Sequence, residues 1–527
     1  MRCRLGDSWV RSFYEAIEFH DFLRFPVTER IILKPSNTNP LSGIRTKAMK
    51  DISYIGTAQV AALLLSVGTF TVLSRILTPE DFGIVGLGLT FLMLFYTLQD
   101  LGIMPAIIQR DSRIDESIAV GLYLRLLLSI FLTLTFIVLS PVIAFFFENS
   151  KVALVVIVMC TNMFVLTVGF SSQTLLTRSL RFSKLAIATI IQSSTLTAAS
   201  ITLALLGFSY WSLVLGSLCG SVAYVATMVH YENPHIRPKM DKQLAKELWG
   251  FGKHLLIAIL MTFILFNVDQ MIIAKVLGLA ALGFYFVAAR FGRILGQQIA
   301  GVVNSVLFPT MARIKDDMSR LKTGYVLSLR MVAIVAVPLC FCISALSPVF
   351  VEEVLGKDWI PAVVPLSILS FQGLINALIT PASNVLISIG KPRYMSIQST
   401  IQSIAMVAGA YPIALYHGLN GVCLYTTILA LAVLIYFTLI FRSVFKARIA
   451  EMVKPLLPPL ASGLVMLVVL VFLVRALPTN LVVLAGLIAV GGAIYVSLLH
   501  ILSRGRDVRE FFGLIRKIAS SEKANES

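Results

Sequence analysis

The chain has 527 residues, of which 57% are hydrophobic and only 13% charged, with a formal net charge of +17. A soluble domain carries roughly 25% charged residues, so folding alone cannot keep this much apolar surface from water, and a water-soluble globular protein is excluded. The bases are spread over many short loops rather than gathered in one patch, which argues against a nucleic-acid partner, and no G-x-x-x-x-G-K-[ST] motif is present to cradle ATP phosphates.

Residues 1–48 differ in character from the rest of the chain. They lack the apolar stretch of roughly 7–15 residues that a signal peptide needs. Trp9, Val10, Phe13, Tyr14 and Ile17 could form a weak amphipathic surface helix in a cytoplasmic N-terminal extension; the other expectation is that Met49 is the working start. From there apolar runs of about 20–28 residues recur, each long enough to cross a ~30 Å hydrocarbon core as a helix. They lack the period-two alternation of a membrane barrel. About fourteen spans are expected, at 52–76, 83–108, 118–147, 152–175, 185–206, 211–230, 252–276, 281–309, 325–348, 362–389, 394–416, 420–441, 456–474 and 480–502. The fold class is therefore all-α integral membrane. An N-lobe of six spans covers 49–232 and a linker 233–251; a C-lobe of six spans covers 252–446, two further spans 447–503, and a basic tail 504–527.

The bases give an independent check, because cytoplasmic loops hold the Lys and Arg. Every second gap is basic: Arg110/Arg113, Arg178/Arg181/Lys184, the cluster Arg237 to Lys253, the cluster Arg313 to Arg330, Lys391/Arg393 and Arg442 to Lys454. The alternate gaps hold only Arg75, Lys151, Lys275, Lys357 and Arg475. Both ends are expected on the cytoplasmic side of the membrane, with the loop bases against anionic headgroups.

Two gaps resemble each other about 200 residues apart. Arg75-Ile76-Leu77 and Gly83 stand in register with Lys275-Val276-Leu277 and Gly283. Further on, Ile191-Gln192-Ser193 and Ile401-Gln402-Ser403 recur, and Leu206-Gly207 and His417-Gly418 mark the next break in each half. Duplicated halves are a mark of secondary transporters, whose site lies between the repeats; the two lobes are expected to be pseudo-symmetric.

The turn Arg75-Ile76-Leu77-Thr78-Pro79-Glu80-Asp81-Phe82-Gly83, the stretch Leu98-Gln99-Asp100-Leu101-Gly102, the segment Ala106 to Arg110, and in the second half Asn267-Val268-Asp269-Gln270 with Leu282-Gly283-Phe284-Tyr285 resemble the polysaccharide exporters. These are the oligosaccharide flippases of the multidrug/oligosaccharidyl-lipid/polysaccharide exporter superfamily. The resemblance implies a V-shaped pair of lobes around a cationic cavity. It implies that an undecaprenyl-pyrophosphate-linked repeat unit is the substrate, flipped across the membrane by alternating access. A polysaccharide polymerase and a chain-length regulator are the partners it points to, beside the membrane lipids. A peptidoglycan-precursor flippase, a multidrug exporter and a membrane enzyme such as a repeat-unit polymerase are the alternatives. Against an enzyme stands the lack of a sizeable extramembrane loop to hold a reaction.

Charges deep in a span are costly and mark cavities or pathways. Arg290 and Arg293 lie near the middle of span eight, and their i, i+3 spacing puts both on one face, continued by Gln297. A guanidinium binds a pyrophosphate bidentately without risk of deprotonation, so both are candidate substrate ligands; the other reading is that one of them pairs with Asp269 or Asp100 to lock helices together. Arg125 in span three is a weaker candidate that could instead snorkel to the interface. Gln372 and Asn376 head a polar face on span ten that suits sugar hydroxyls or helix–helix contacts. Asp269 and Asp100 either bind a coupling proton or sodium ion or neutralise an arginine. No cofactor or metal is expected, since the six cysteines are scattered and Cys340-x-Cys342 has no second ligand pair.

Overall fold

In hydrocarbon a crossing backbone must satisfy its own N–H and C=O groups, and a continuous apolar segment does so only as a helix. The computed structural model describes residues 40–505 except 101, 109, 111, 294–316, 392, 447 and 479, with backbone alone for 40–53, 55, 248–262, 265 and 266. The N-lobe is built from α1 (Pro40–Ser74), α2 (Pro79–Asp100), α3 (Ile114–Phe146), α4 (Ser150–Arg178), α5 (Phe182–Leu205) and α6 (Trp211–Tyr231). The C-lobe holds α7 (Lys242–Leu277), α8 (described over 279–293), α9 (Met318–Phe350), α10 (Val363–Ser388) and α11 (Arg393–Phe445). Two more helices complete the chain of spans, α12 (Leu457–Ala476) and α13 (Leu481–Leu502). Gly418, with φ +62°, divides α11 into two crossings. Among the described residues eleven helices are long and apolar enough to cross a membrane. With the second crossing of α11, with α7, and with α8 as far as it is described, this agrees with the expected count of about fourteen. Phe145, Tyr416 and Val482 are each more than 80% exposed, a surface that only lipid would cover without penalty.

Local chemistry sets where the helices begin. At the first repeated gap, Thr78 and Asp81 form a reciprocal capping box. The Thr78 N–H and hydroxyl donate to Asp81 Oδ2 at 3.0 and 2.8 Å, the Asp81 N–H donates to Thr78 Oγ1 at 3.3 Å, and Pro79 takes the first helical position. At the second gap Gly278 (φ +88°) provides the left-handed residue between α7 and α8. Asp241, Asp317 and Asn149 cap α7, α9 and α4 through their side-chain oxygens.

The lobes repeat one packing plan. In the first, α1 packs on α5, α3 on α4, and α4 on α6; in the second, α7 packs on α11, α9 on α10, and α10 on α11. Close approach of α8 to α10 depends on Gly292 and Gly373, whose added Cβ atoms would meet Ser370 N at 2.9 Å and Gly292 O at 2.5 Å. Helices α12 and α13 dock on α9, with Met466, Leu470, Leu487 and Tyr495 buried against Val337 and Phe341, and Tyr495 donates to the Ile334 carbonyl at 3.0 Å.

The two repeated gaps meet each other. A Cβ on Gly83 would stand 1.8 Å from the Leu279 carbonyl oxygen, and a Cβ on Gly283 would stand 1.8 Å from the Pro79 carbonyl oxygen. Each glycine faces the residue four positions before the other, so the contact is reciprocal, as a two-fold relation requires. Both helices begin at this base-poor end and run the same way, which matches repeats related about the membrane normal.

Candidate anion site

The glycine crossing brings α8 against the N-lobe and so sets where its arginines lie. Arg290 is eleven residues into the described part of α8, about 16 Å along the axis, and Arg293 is one turn further. Their shared helix face meets two different neighbours. Arg293 Nη1 lies 3.5 Å from Asp269 Oδ2 on α7, with Asp269 1% and Arg293 15% exposed. Tyr285 donates its hydroxyl to the same carboxylate oxygen, and the Gln270 N–H donates to Asp269 Oδ1 at 2.9 Å. The Arg293 guanidinium also lies 5.8 Å from the Tyr285 ring centre. Arg293 is thus neutralised inside its own lobe, so the helix-locking alternative describes its geometry.

Arg290 differs. Its Nη2 donates to Ser66 Oγ on α1, and its guanidinium carbon lies 5.1 Å over the Phe70 ring. Among the described residues no carboxylate lies within ion-pair distance of it. It is a half-buried permanent cation at mid-membrane depth, partnered by a hydroxyl and an aromatic face.

Arg125 sits in the N-lobe and pairs with Asp100 at 2.7 Å, with 11% of the arginine side chain exposed and 36% of the aspartate. Its other amine donates to Gln99 Oε1 at 3.2 Å, and it lies 4.7 Å over the Phe170 ring. Gln99, fully buried, donates in turn to Thr167 Oγ1 at 2.7 Å and to Ser129. This arrangement is a buried network joining α2, α3 and α4, not an arginine reaching for the interface. Gln372 is 5% exposed and donates to the Thr426 carbonyl at 3.2 Å, which ties α10 to α11. Asn376 is half-buried, and its carbonyl accepts from the Thr380 hydroxyl one turn on at 3.0 Å. Gln297 lies outside the described residues.

The base-poor end is closed by contacts between lobes. Lys275 pairs with Glu148 at 2.8 Å. Arg75 Nε donates to the Val354 carbonyl at 3.0 Å, and the Trp359 indole N–H donates to the Ser74 carbonyl at 2.9 Å. Trp359 is 1% exposed and meets Phe82 edge-on at 5.0 Å. At the basic end, Asp241 pairs with Arg113 at 2.9 Å and Arg110 pairs with Glu247, so the first turns of α7 are held to the N-lobe. The hydrogen bond from Lys275, and after it the lysine's charge, holds the Glu148 carboxyl below its ordinary value. The pair's contribution is therefore complete above the usual glutamate range, about 4.3, and is lost as pH falls through the depressed value. Spin labels across this end should keep their spacing from pH 8 to 6 and begin to separate only below the usual glutamate range. Glu148→Gln should reproduce part of that change at pH 7. Equal spacing in Glu148→Gln and the parent would show that the pair holds nothing.

Sequence reasoning did not single out Ser66, Phe70 or, as a site residue, Tyr285. A serine and a phenylalanine in an apolar span carry no local signal; only the lobe-to-lobe packing gives them a partner.

Two reciprocal helical lobes that cross at paired glycines, with arginines held inside the membrane, define a multi-pass membrane transporter fold. Residues 72–364 match the family model described as polysaccharide biosynthesis protein, and the chain belongs to that family. It is 23% identical over 364 residues to the teichuronic acid biosynthesis protein TuaB of Bacillus subtilis (strain 168), a match covering 67% of this chain and 73% of that one. It is 25% identical over 450 residues to the succinoglycan biosynthesis transport protein ExoT of Rhizobium meliloti (strain 1021), covering 83% and 89%. Among solved structures it resembles the lipid II flippase MurJ in an inward closed conformation, with TM-score 0.71 at 16% identity, over 85% of this chain and 98% of that one.

Proposed function

We propose that the protein carries an undecaprenyl-pyrophosphate-linked oligosaccharide repeat unit across the bacterial cytoplasmic membrane, from the basic face to the base-poor face. It acts as a carrier rather than an enzyme. The observation that carries this reading is Arg290, a mid-membrane guanidinium whose described partners are a hydroxyl and a ring, while Arg293 and Arg125 each have an acid of their own. A cation with no counter-charge among the described residues is costly at that depth, and a pyrophosphate would supply two oxygens to its fork. The buried network around Arg125 and the amide of Gln372 then serve lobe packing, and the headgroup contact narrows to Arg290. Asn376 and Gln297 remain the candidates for sugar hydroxyls. Membership of a polysaccharide biosynthesis family favours this cargo over the peptidoglycan precursor, which shares the anionic head.

Alternating access follows from the closure. With the base-poor end held by the glycine crossing and the Lys275–Glu148 pair, loading would take place from the basic, cytoplasmic face. Parting of the crossing would release cargo on the other side, with a proton or sodium ion as the expected drive. The direct test is reconstitution of the full chain into liposomes with a fluorescent pyrophosphate-linked oligosaccharide lipid. Arrival of the label in the far leaflet, abolished in Arg290→Gln, supports the reading; a rate equal to that of empty liposomes would overturn it.

A further inference from the structure

Arg290 stands on α8 of the C-lobe, but both of its described partners belong to the N-lobe. Ser66 and Phe70 are one turn apart on α1, and they meet the guanidinium edge and its face respectively. Neither partner is loose. Thr69, between them in sequence, shares a hydroxyl–hydroxyl bond of 2.6 Å with Thr197 on α5, which anchors this stretch of α1 to its own lobe. Phe70 is wedged between one ring from each lobe, Phe82 at 5.7 Å and Phe286 at 5.9 Å. Phe286 also lies under Gly86, beside the reciprocal crossing, where an added Cβ would meet its ring at 3.1 Å. The Arg290 contact is therefore a lobe-to-lobe contact on the helix that makes the glycine crossing, two turns beyond Gly283.

From this geometry we infer that Ser66 and Phe70 form a stand-in site for Arg290, occupied when no anion is bound. The inference rests on the reading of Arg290 as the headgroup ligand. The hydroxyl oxygen and the ring face supply a neutral acceptor and a quadrupole. A phosphate adds an opposite charge and two oxygens that the guanidinium fork can meet together, so an arriving headgroup displaces the stand-in. That exchange draws Arg290 away from α1 and removes one of the contacts that keep the lobes together. Ser66 and Phe70 are positioning residues: they hold the empty carrier closed and make loading favour lobe separation. The coupling is reciprocal by linkage, so weakening the stand-in must both tighten headgroup binding and loosen the empty closed state by the same factor.

The test uses the purified full-length protein with farnesyl pyrophosphate as probe, and spin labels at Leu206 and Ile360, exposed positions on the two lobes at the base-poor end. Losing a hydrogen bond from a charged donor, worth roughly 1.5–3 kcal/mol, corresponds to a change of about tenfold to over a hundredfold. Ser66→Ala is expected to bind the probe at least about tenfold tighter and to shift the unliganded label spacing toward the value the parent shows with probe. Ser66→Thr, which keeps the hydroxyl, should behave like the parent, and Ser66→Ala should bring no gain when Arg290 is already Gln. Parental or weaker binding by folded Ser66→Ala, beside a clear loss in Arg290→Gln, overturns the stand-in and leaves the anion site intact. Parental binding by Arg290→Gln overturns the anion site, and the stand-in falls with it.

Discussion

Alanine at Gly83 or Gly283 is expected to part the lobes at the base-poor end. The added methyl carbon would lie 1.8 Å from a backbone carbonyl oxygen of the opposite lobe, well inside the roughly 3.5 Å at which non-bonded carbons rest. No side-chain rotation relieves this, because the obstacle is main chain on both sides. The helices must separate by more than about 1 Å, and overpacking of this kind costs about 1–3 kcal/mol. The cost falls only on the conformation in which the crossing is made. The closed population should drop by about 5–150-fold relative to the parted one, read as a longer distance between labels at Leu206 and Ile360. Gly486→Ala is the control, since a methyl there meets nothing within 4 Å. Parental spacing in a folded Gly83→Ala variant would mean that the crossing does not hold this end shut.

Asp269→Asn should strongly destabilise the protein. It leaves Arg293, 15% exposed, facing a neutral amide in a position where Asp269 is 1% exposed. Breaking one partner of a buried pair costs about 3–5 kcal/mol, whereas removing both charges can be close to neutral. The double variant Asp269→Asn/Arg293→Gln is thus expected to recover much of the stability that Asp269→Asn loses. Thermal unfolding in detergent provides the measurement, and a double variant no more stable than the single one would show that the two charges are not coupled. Asp100→Asn should cost less, because Asp100 is 36% exposed and Arg125 keeps its bond to Gln99.

Much of the architecture is legible in the residues. Hydropathy locates the spans because a membrane allows few other backbones. The resemblance between Arg75–Gly83 and Lys275–Gly283 marks two segments that pack reciprocally, and Gly207 and Gly418 mark matching breaks with φ of +85° and +62°. The capping function of Thr78 and Asp81 is present in the motif that carries the family resemblance. The site is only half legible. Spacing places Arg290 and Arg293 on one helix face, but it cannot show that this face spans a boundary between neighbours. One turn separates an arginine that meets Asp269 from one that meets Ser66. Arg125 illustrates the same limit: its depth in span three is evident, while Asp100 and Gln99 become its partners only through the packing of α2 on α3. Ser66 and Phe70 have no sequence signal because their role depends on a contact between residues more than 200 positions apart.

Binding of an undecaprenyl-pyrophosphate-linked oligosaccharide to purified, folded variants tests most directly whether Arg290 holds the anionic headgroup. Arg290→Gln removes one or two charge-assisted hydrogen bonds, each worth roughly 1.5–3 kcal/mol, so its affinity should fall about tenfold to over a hundredfold. Arg290→Lys keeps the charge without the fork and should recover only part of it. Arg293→Gln, where it folds, should bind nearly as the parent does. Parental affinity in Arg290→Gln would contradict the account and make Arg290 a structural tie between the lobes.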